Sequence, residues 1–180
     1  MNDSRYRWDD SPLQWYALRV KAQHERTTAT ALASRGIEGY APLYRSRRRW
    51  SDRMKDLQLP LFPRYLFCRT RIIEKGAVLA CPGVYSFIGF GNQPAVVSED
   101  EIANLRRMEE AGLPYGPWPF LKAGQQVRIT SGPLSGLAGV LACAPETWRV
   151  VVNVELLQRS VAVTVERDQV ELVGQASVCA

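Results

Sequence analysis

The chain has 180 residues, 46% of them hydrophobic and 23% charged. At roughly 100–200 residues per domain this is enough for one or two packed cores, and the composition excludes a disordered chain. The formal charge of +5 and pI near 9.2 favour an anionic partner, and the distribution of that charge matters more than its sum. Cys68, Cys81, Cys143 and Cys179 lack CxxC spacing and the single histidine, His24, is remote from each, which argues against a metal site. With no signal-peptide core and no run of about 18 apolar residues, the expectation is a cytoplasmic protein with free thiols and no membrane segment.

Residues 1–13 read as a flexible polar arm. "QWYALRV" (Gln14 to Val20) suits a strand, and "KAQHERTTATALASRG" suits a helix stopped at Gly36, with Ala29, Leu32 and Ala33 on its apolar stripe. "GYAPLYRSRRR" (Gly39 to Arg49) reads as a second strand with Pro42 at an irregular position, "WSDRMKD" as a hairpin tip and "RYLFCRT" as the returning strand. In that strand Leu66 and Cys68 alternate with Tyr65 and Phe67, so both faces are apolar, as in a covered strand.

"IIEKGAVLACPG" then suits a short helix ended by Pro82-Gly83, and "VYSFIGF" and "PAVV" suit short strands. "SEDEIANLRRMEEAG" suits a helix with Ser98 and Glu101 as a capping box and a buried stripe of Ile102, Leu105 and Met108. The order β-α-β-β-α-β-α predicts an α+β domain over residues 14–110, with helices on a mainly antiparallel sheet. "AGLPYGPWPFL" holds three prolines and two glycines, so residues 111–121 read as a linker. Residues 122–174, with strand-like runs "QVRI", "AGVLA", "WRVVVNV", "SVAVTV" and "QVEL", predict a small five-stranded β-barrel, followed by a tail over 175–180. In its "TSGPLSGLAG" turn Gly132, Gly136 and Gly139 supply backbone freedom and Pro133 fixes a dihedral, a structural role.

Taken together, "QWYALRV", "LPLFPRYLFCRT", "CPGVYSFIGFGNQPAVVSEDEI" and "GQQVRITSGPLSGLAGVLA" resemble the NusG family of bacterial transcription elongation factors over about residues 14–173. The resemblance implies a non-catalytic, monomeric protein whose first domain binds the clamp helices of the RNA polymerase β′ subunit. It also implies an SH3-like KOW barrel that recruits a second factor, ribosomal protein S10 or Rho. "PLFPRYLF" is more similar to the specialised RfaH-like antitermination branch, whereas the "SGPLSG" turn is similar to a general NusG-type KOW domain. Carried over by residue, the clamp-binding set is Phe62, Pro63, Arg64, Tyr65 and Phe67 with Tyr16, Arg19 and Pro42. Aromatics of this kind either form a partner contact or pack in the core. The β-branched runs "VVVNV" and "VAVTV" predict a barrel that stays a barrel, without an all-helical alternative.

Arg45, Arg47, Arg48, Arg49, Arg53 and Lys55 crowd the predicted hairpin, and Trp50 lies among them. Such a ribbon suits phosphate contact with base stacking by Trp50, and the family resemblance places upstream or non-template DNA there, with Lys21 and Arg26 nearby. The competing reading is a solvated charged face. No base-reading set is evident, so the contact positions rather than specifies. A rival reading is a KOW-type RNA-binding protein acting on the ribosome. An enzyme is disfavoured because there is no P-loop, no paired-carboxylate signature and only His24 as a base, and no cofactor is expected.

Overall fold

A computed structural model of the chain describes residues 11–50, 53–91, 93–120, 124–144 and 147–173. The arm over residues 1–10, the hairpin tip Ser51–Asp52, the tail over 175–180 and the side chains of Arg48, Arg49, Trp50 and Arg53 lie outside the described residues.

Strand β1 (Gln14–Val20) falls where its aromatic and branched residues place it. Helix α1 (Glu25–Ala33) buries Glu25, Thr28 and Leu32. The expected stripe of Ala29, Leu32 and Ala33 is corrected: Ala33 is exposed, because a repeat of three to four residues from Glu25 through Thr28 to Leu32 turns position 33 outward. The single strand expected over 39–49 is two, β2 (Glu38–Tyr40) and β3 (Leu43–Trp50), broken where Pro42 has no N–H for a ladder. The expected tip "WSDRMKD" is also corrected. Most of it belongs to β4 (Arg53–Pro60), which is the true return strand of the hairpin. Strand β5 (Tyr65–Thr70) lies in a different sheet.

A 3-10 turn (Ile72–Glu74) leads into α2 (Lys75–Leu79). Thr70 Oγ1 donates to Glu74 Oε2 at 2.7 Å, and this bond holds the Glu74 carboxyl below its ordinary range. After Pro82 the chain reverses through Gly83 at φ 90°, where an added Cβ would lie 2.4 Å from Thr28 Oγ1, so only glycine fits. Then follow β6 (Val84–Phe87), β7 (Gly89–Phe90), β8 (Gln93–Pro94), β9 (Val96–Val97) and α3 (Glu99–Glu110), whose buried residues are Ile102, Leu105 and Met108 as expected. The linker is not structureless: it contains β10 (Tyr115–Trp118). The five barrel strands are β11 (Gln126–Ile129), β12 (Ala138–Ala144), β13 (Thr147–Val154), β14 (Arg159–Val165) and β15 (Val170–Leu172).

The chain divides into two compact units, Met1–Ala41 with Pro63–Glu99 and Pro42–Phe62 with Asp100–Ala180. The hairpin and nearly all of α3 therefore group with the barrel strands, where the sequence had placed them in the first domain.

The first unit is built on an antiparallel sheet in the order β2-β5-β1-β6, with β9 also paired to β1. Tyr16, Leu18 and Val20 of β1 and Leu66 and Cys68 of β5 share one core with Leu32 of α1 and Val78 and Cys81 around α2. Each such fully buried aliphatic side chain contributes about 1.5–3 kcal/mol. Burial pushes the Cys68 thiol up to about 12. On the other face Trp15 meets Tyr40 edge-on at 6.5 Å, and Tyr40 stacks on Phe67 at 6.3 Å.

In the second unit β3 and β4 form a two-stranded ribbon, and the barrel strands with β10 form a six-stranded sheet in the order β10-β14-β13-β12-β11-β15. The expected barrel strands are all present, and the sixth strand is supplied by the linker. Gly139 of β12 is required by close approach: an added Cβ would lie 2.5 Å from the Val151 carbonyl oxygen and 2.7 Å from Val150 Cγ1. Three ties group the other elements with these strands. Arg107 donates to the Ser135 carbonyl at 2.5 Å, the Glu155 N–H donates to Glu101 Oε1 at 3.3 Å, and the Tyr115 hydroxyl donates to the Leu43 carbonyl. Burial raises the Glu101 carboxyl against the lowering effect of that N–H, with the Glu155 charge adding to the rise.

Candidate functional site

The first candidate surface depends on one carboxylate. Glu25 opens α1, where negative charge is favoured, and is only 4% exposed. Its Oε1 accepts the Arg64 backbone N–H at 2.8 Å and the Gln23 N–H at 3.3 Å. Both donors stand in the left-handed region, Gln23 at φ 63° and Arg64 at φ 71°. For a non-glycine residue that conformation costs roughly 1–2 kcal/mol. The carboxylate thus holds two strained turns together, and the Arg64 carbonyl accepts the Val20 N–H at 2.9 Å, which fixes the turn to the end of β1.

Pinned in this way, Pro63 and Arg64 are exposed, and Tyr65, half-buried, enters β5 directly opposite the exposed Arg19 of β1. Cross-strand partners project from the same side of a sheet, so Arg19 and Tyr65 form one patch beside the turn. The remaining residues of the expected clamp-binding set are placed elsewhere. Tyr16 is in the helix-covered core with its ring edge-on to Phe87 at 5.7 Å, and burial, with the nearby Cys68 charge, raises its phenol. Pro42, Phe62 and Phe67 are buried as well. Of the two readings open for these aromatics, core packing holds for Tyr16, Phe62 and Phe67: a strand with both faces covered leaves Phe67 no route to the surface.

The hairpin carries its cations in register. Arg45 pairs with Gln58, Arg47 with Asp56, Arg48 with Lys55, Arg49 with Met54 and Trp50 with Arg53. Arg45 and Arg47 are exposed and Lys55 is half-buried. Arg47 Nε donates to Asp56 Oδ1 at 3.2 Å with both side chains about 70% exposed (72% and 68%), a pair that contributes well under 1 kcal/mol. The register sets two cationic residues, Arg48 and Lys55, opposite each other. Lys21 and Arg26 are exposed and belong to the first unit, whereas the hairpin belongs to the second.

Comparison with known proteins decides the family. A family model described as "Transcription termination factor nusG" matches residues 13–106, more than half of the chain. The chain belongs to the NusG family. Members similar to it include the transcription termination/antitermination protein NusG of Thermus thermophilus, 32% identical over 61% of this chain and 66% of that protein's own length. NusG of Helicobacter pylori is 24% identical over 88% of this chain and 98% of its own length. Among solved structures, one titled "Domain interaction in Thermotoga maritima NusG" matches with a TM-score of 0.51 at 24% identity, covering 91% of this chain and 98% of that one, a likeness of fold. The chain is a NusG-type transcription termination/antitermination factor. No described helix is long and apolar enough to cross a membrane.

Within this NusG-family chain, Gly132 (φ 79°) and Gly136 (φ 86°) shape the turn between β11 and β12, and Gly136 N–H donates to the Ile129 carbonyl at 2.7 Å. Leu134 and Leu137 tuck into the interior from that turn, and Pro133 lies exposed between them and β11. Glu25 is the residue that sequence reading missed. An acid at a helix start is common enough to pass as dipole compensation, and the signal available was the polar "AQHE" segment leading into an otherwise uncharged helix face.

Proposed function

We propose that this chain travels with RNA polymerase during elongation, and that the patch of Arg19, Pro63, Arg64 and Tyr65 binds the clamp helices of the β′ subunit. The observation that carries this reading is the turn pinned by Glu25, which presents Pro63 and Arg64 outward at the end of the Arg19–Tyr65 pair. A ring flanked by two guanidinium groups suits a helix that offers both apolar and acidic side chains. Tyr16 and Phe67 support that patch from within the same sheet.

The basic hairpin lies against upstream or non-template DNA in this reading. Arg45, Arg47, Arg48, Arg49, Arg53 and Lys55 meet phosphates, Trp50 stacks on an unpaired base, and Lys21 and Arg26 add charge from the first unit. The KOW-type barrel recruits a second factor, ribosomal protein S10 or Rho, and the protein acts as a monomer without catalysis. Its membership of an antitermination branch rests on "PLFPRYLF".

The test is binding of the full chain to a β′ clamp-helix fragment, wild type beside Tyr65→Ala and Arg64→Ala. Saturable binding weakened at least about tenfold in both folded variants supports the reading. A folded wild type that ignores the fragment but retains ribosomal RNA would replace it with the RNA-binding alternative.

A further inference from the structure

Strand β6 contains one residue more than its partner needs. Val20 of β1 pairs with Val84 and Arg19 pairs with Ser86, so Tyr85 is an extra residue opposite a single step of β1, a β-bulge. Packing on either side of it agrees with that count. Val84 and Phe87 both lie against the helix-covered core. In a regular strand residues 84 and 87 would point to opposite faces, and 85 would join 87 in the core. With the bulge Tyr85 instead shares the other face with Ser86, and it is 63% exposed.

The bulge is held from both ends. The Lys21 N–H donates to the Gly83 carbonyl at 2.9 Å and the Val84 N–H to the Cys81 carbonyl at 3.1 Å. Beyond the strand, the Ile88 N–H donates to the Ala17 carbonyl at 2.8 Å. Between these fixed points β6 has no freedom to slip by one residue and absorb the extra one.

On the face that Tyr85 joins, Ser86 lies opposite Arg19, and Arg19 lies opposite Tyr65 of β5. One row across the sheet therefore reads Tyr65, Arg19, Ser86, with Tyr85 beside its last member. Farther along the same face Trp15 and Phe67 are buried, whereas Arg19 is exposed. A single exposed tyrosine has no special meaning. Two phenol rings beside one exposed guanidinium, with no carboxylate among the four residues, make a seat for an anionic side chain set among apolar ones.

We propose that the bulge makes Tyr85 a contact residue of the Arg19–Tyr65 patch, and that these three side chains together receive one carboxylate of a partner helix. Arg19 pairs with the acid, and the two rings take the apolar side chains a turn to either side of it. The proposal rests on the reading that this patch meets the β′ clamp helices, and it adds the residue that sets which helix fits. A helix without the acid leaves Arg19 unpaired between the rings and is discriminated against.

Binding of the full chain to the β′ clamp-helix fragment tests this, with wild type beside Tyr85→Ala, Tyr85→Phe, Tyr65→Ala and the double alanine variant, and with a urea midpoint for each. Tyr85→Ala should weaken binding at least about fivefold. Its midpoint should match wild type, because the side chain is exposed. Tyr85→Phe keeps the ring and should recover most of the loss. The double variant should lose less than the product of the two single losses, since both rings hold the same partner side chains. Tyr85→Ala that binds like wild type while Tyr65→Ala does not would overturn this inference and leave the reading of the patch intact. A loss of binding matched by a fall in midpoint would make Tyr85 a structural residue and also overturn it. A folded wild type that ignores the fragment would remove the inference together with the reading beneath it.

Discussion

Replacing Glu25 with alanine tests the idea that one carboxylate positions the Pro63–Arg64 turn. The substitution strips the Arg64 N–H of an acceptor at 2.8 Å and the Gln23 N–H of one at 3.3 Å. A hydrogen bond to a charged group contributes about 1.5–3 kcal/mol, and the longer bond falls below that range. Two left-handed residues are also deprived of the carboxylate that offsets their strain. The expected loss is therefore about 2–4 kcal/mol. In urea, with a slope of about 2 kcal/mol/M for a domain of this size, the midpoint should fall by about 1–2 M. Glu25→Gln keeps an acceptor oxygen without the charge and should lose about half as much. Adding Arg64→Gly to Glu25→Ala should return about 1 kcal/mol by relieving the left-handed strain, since glycine adopts that conformation freely. A midpoint for Glu25→Ala that matches wild type, with no rescue by Arg64→Gly, would refute the pinning role.

The remaining predictions concern the other elements. Replacing Arg47, Arg48, Arg49 and Arg53 with glutamine should lower the salt slope of DNA binding by about 0.9 for each phosphate no longer neutralised, while leaving clamp-fragment binding intact; an equal fall in both activities would contradict the division of labour. Thermal stability in the same variant should change little, because the exposed Arg47–Asp56 pair contributes almost nothing. Gly139→Ala forces a Cβ to 2.5 Å from the Val151 carbonyl oxygen and should cost about 2–4 kcal/mol, seen as early melting of the barrel by near-ultraviolet circular dichroism. Cys68 has a thiol raised by burial from 9.0 to about 12. The folded state therefore keeps its proton longer than the unfolded chain does. Its contribution to stability is complete below pH 9.0 and is lost as pH rises towards 12. Iodoacetamide at pH 8 should label Cys68 only at the rate of unfolding, as peptide mapping will show.

The parts of the fold visible in the sequence are those where apolar periodicity is undisturbed. Gln14 to Val20 and the strands of the barrel are dense in β-branched and aromatic residues, and the stripe of Ile102, Leu105 and Met108 repeats at helical spacing. The errors have a common cause, which is structure formed without that pattern. Strand β4 reads "RMKDLQLP", polar enough to pass for a loop, and is held by its pairing with β3 rather than by burial. Strand β10 contains Gly116 and Pro117 and exists because β14 offers an unpaired edge. At the candidate site, the family resemblance pointed to the region but not to which residues reach solvent. Phe62 and Phe67 were indistinguishable from Tyr65 until strand order showed which faces are covered. Glu25 was illegible because its partners are backbone N–H groups 39 and two residues away, which no side-chain motif records.

The neck of the hairpin has a consequence for how this chain can diverge. The Leu61 N–H donates to the Pro42 carbonyl at 2.9 Å and Leu43 pairs with Pro60, so the ribbon is closed at its base before the first arginine. Insertions and deletions at the far end leave those bonds untouched, and lengthening a loop that is already closed costs little. Each cross-strand pair added or removed moves the tip by about 3.4 Å. Lineages can therefore set the reach of the basic arm in discrete steps, like marks on a ruler, and adapt it to a partner at a new distance without redesigning the sheet of the first unit.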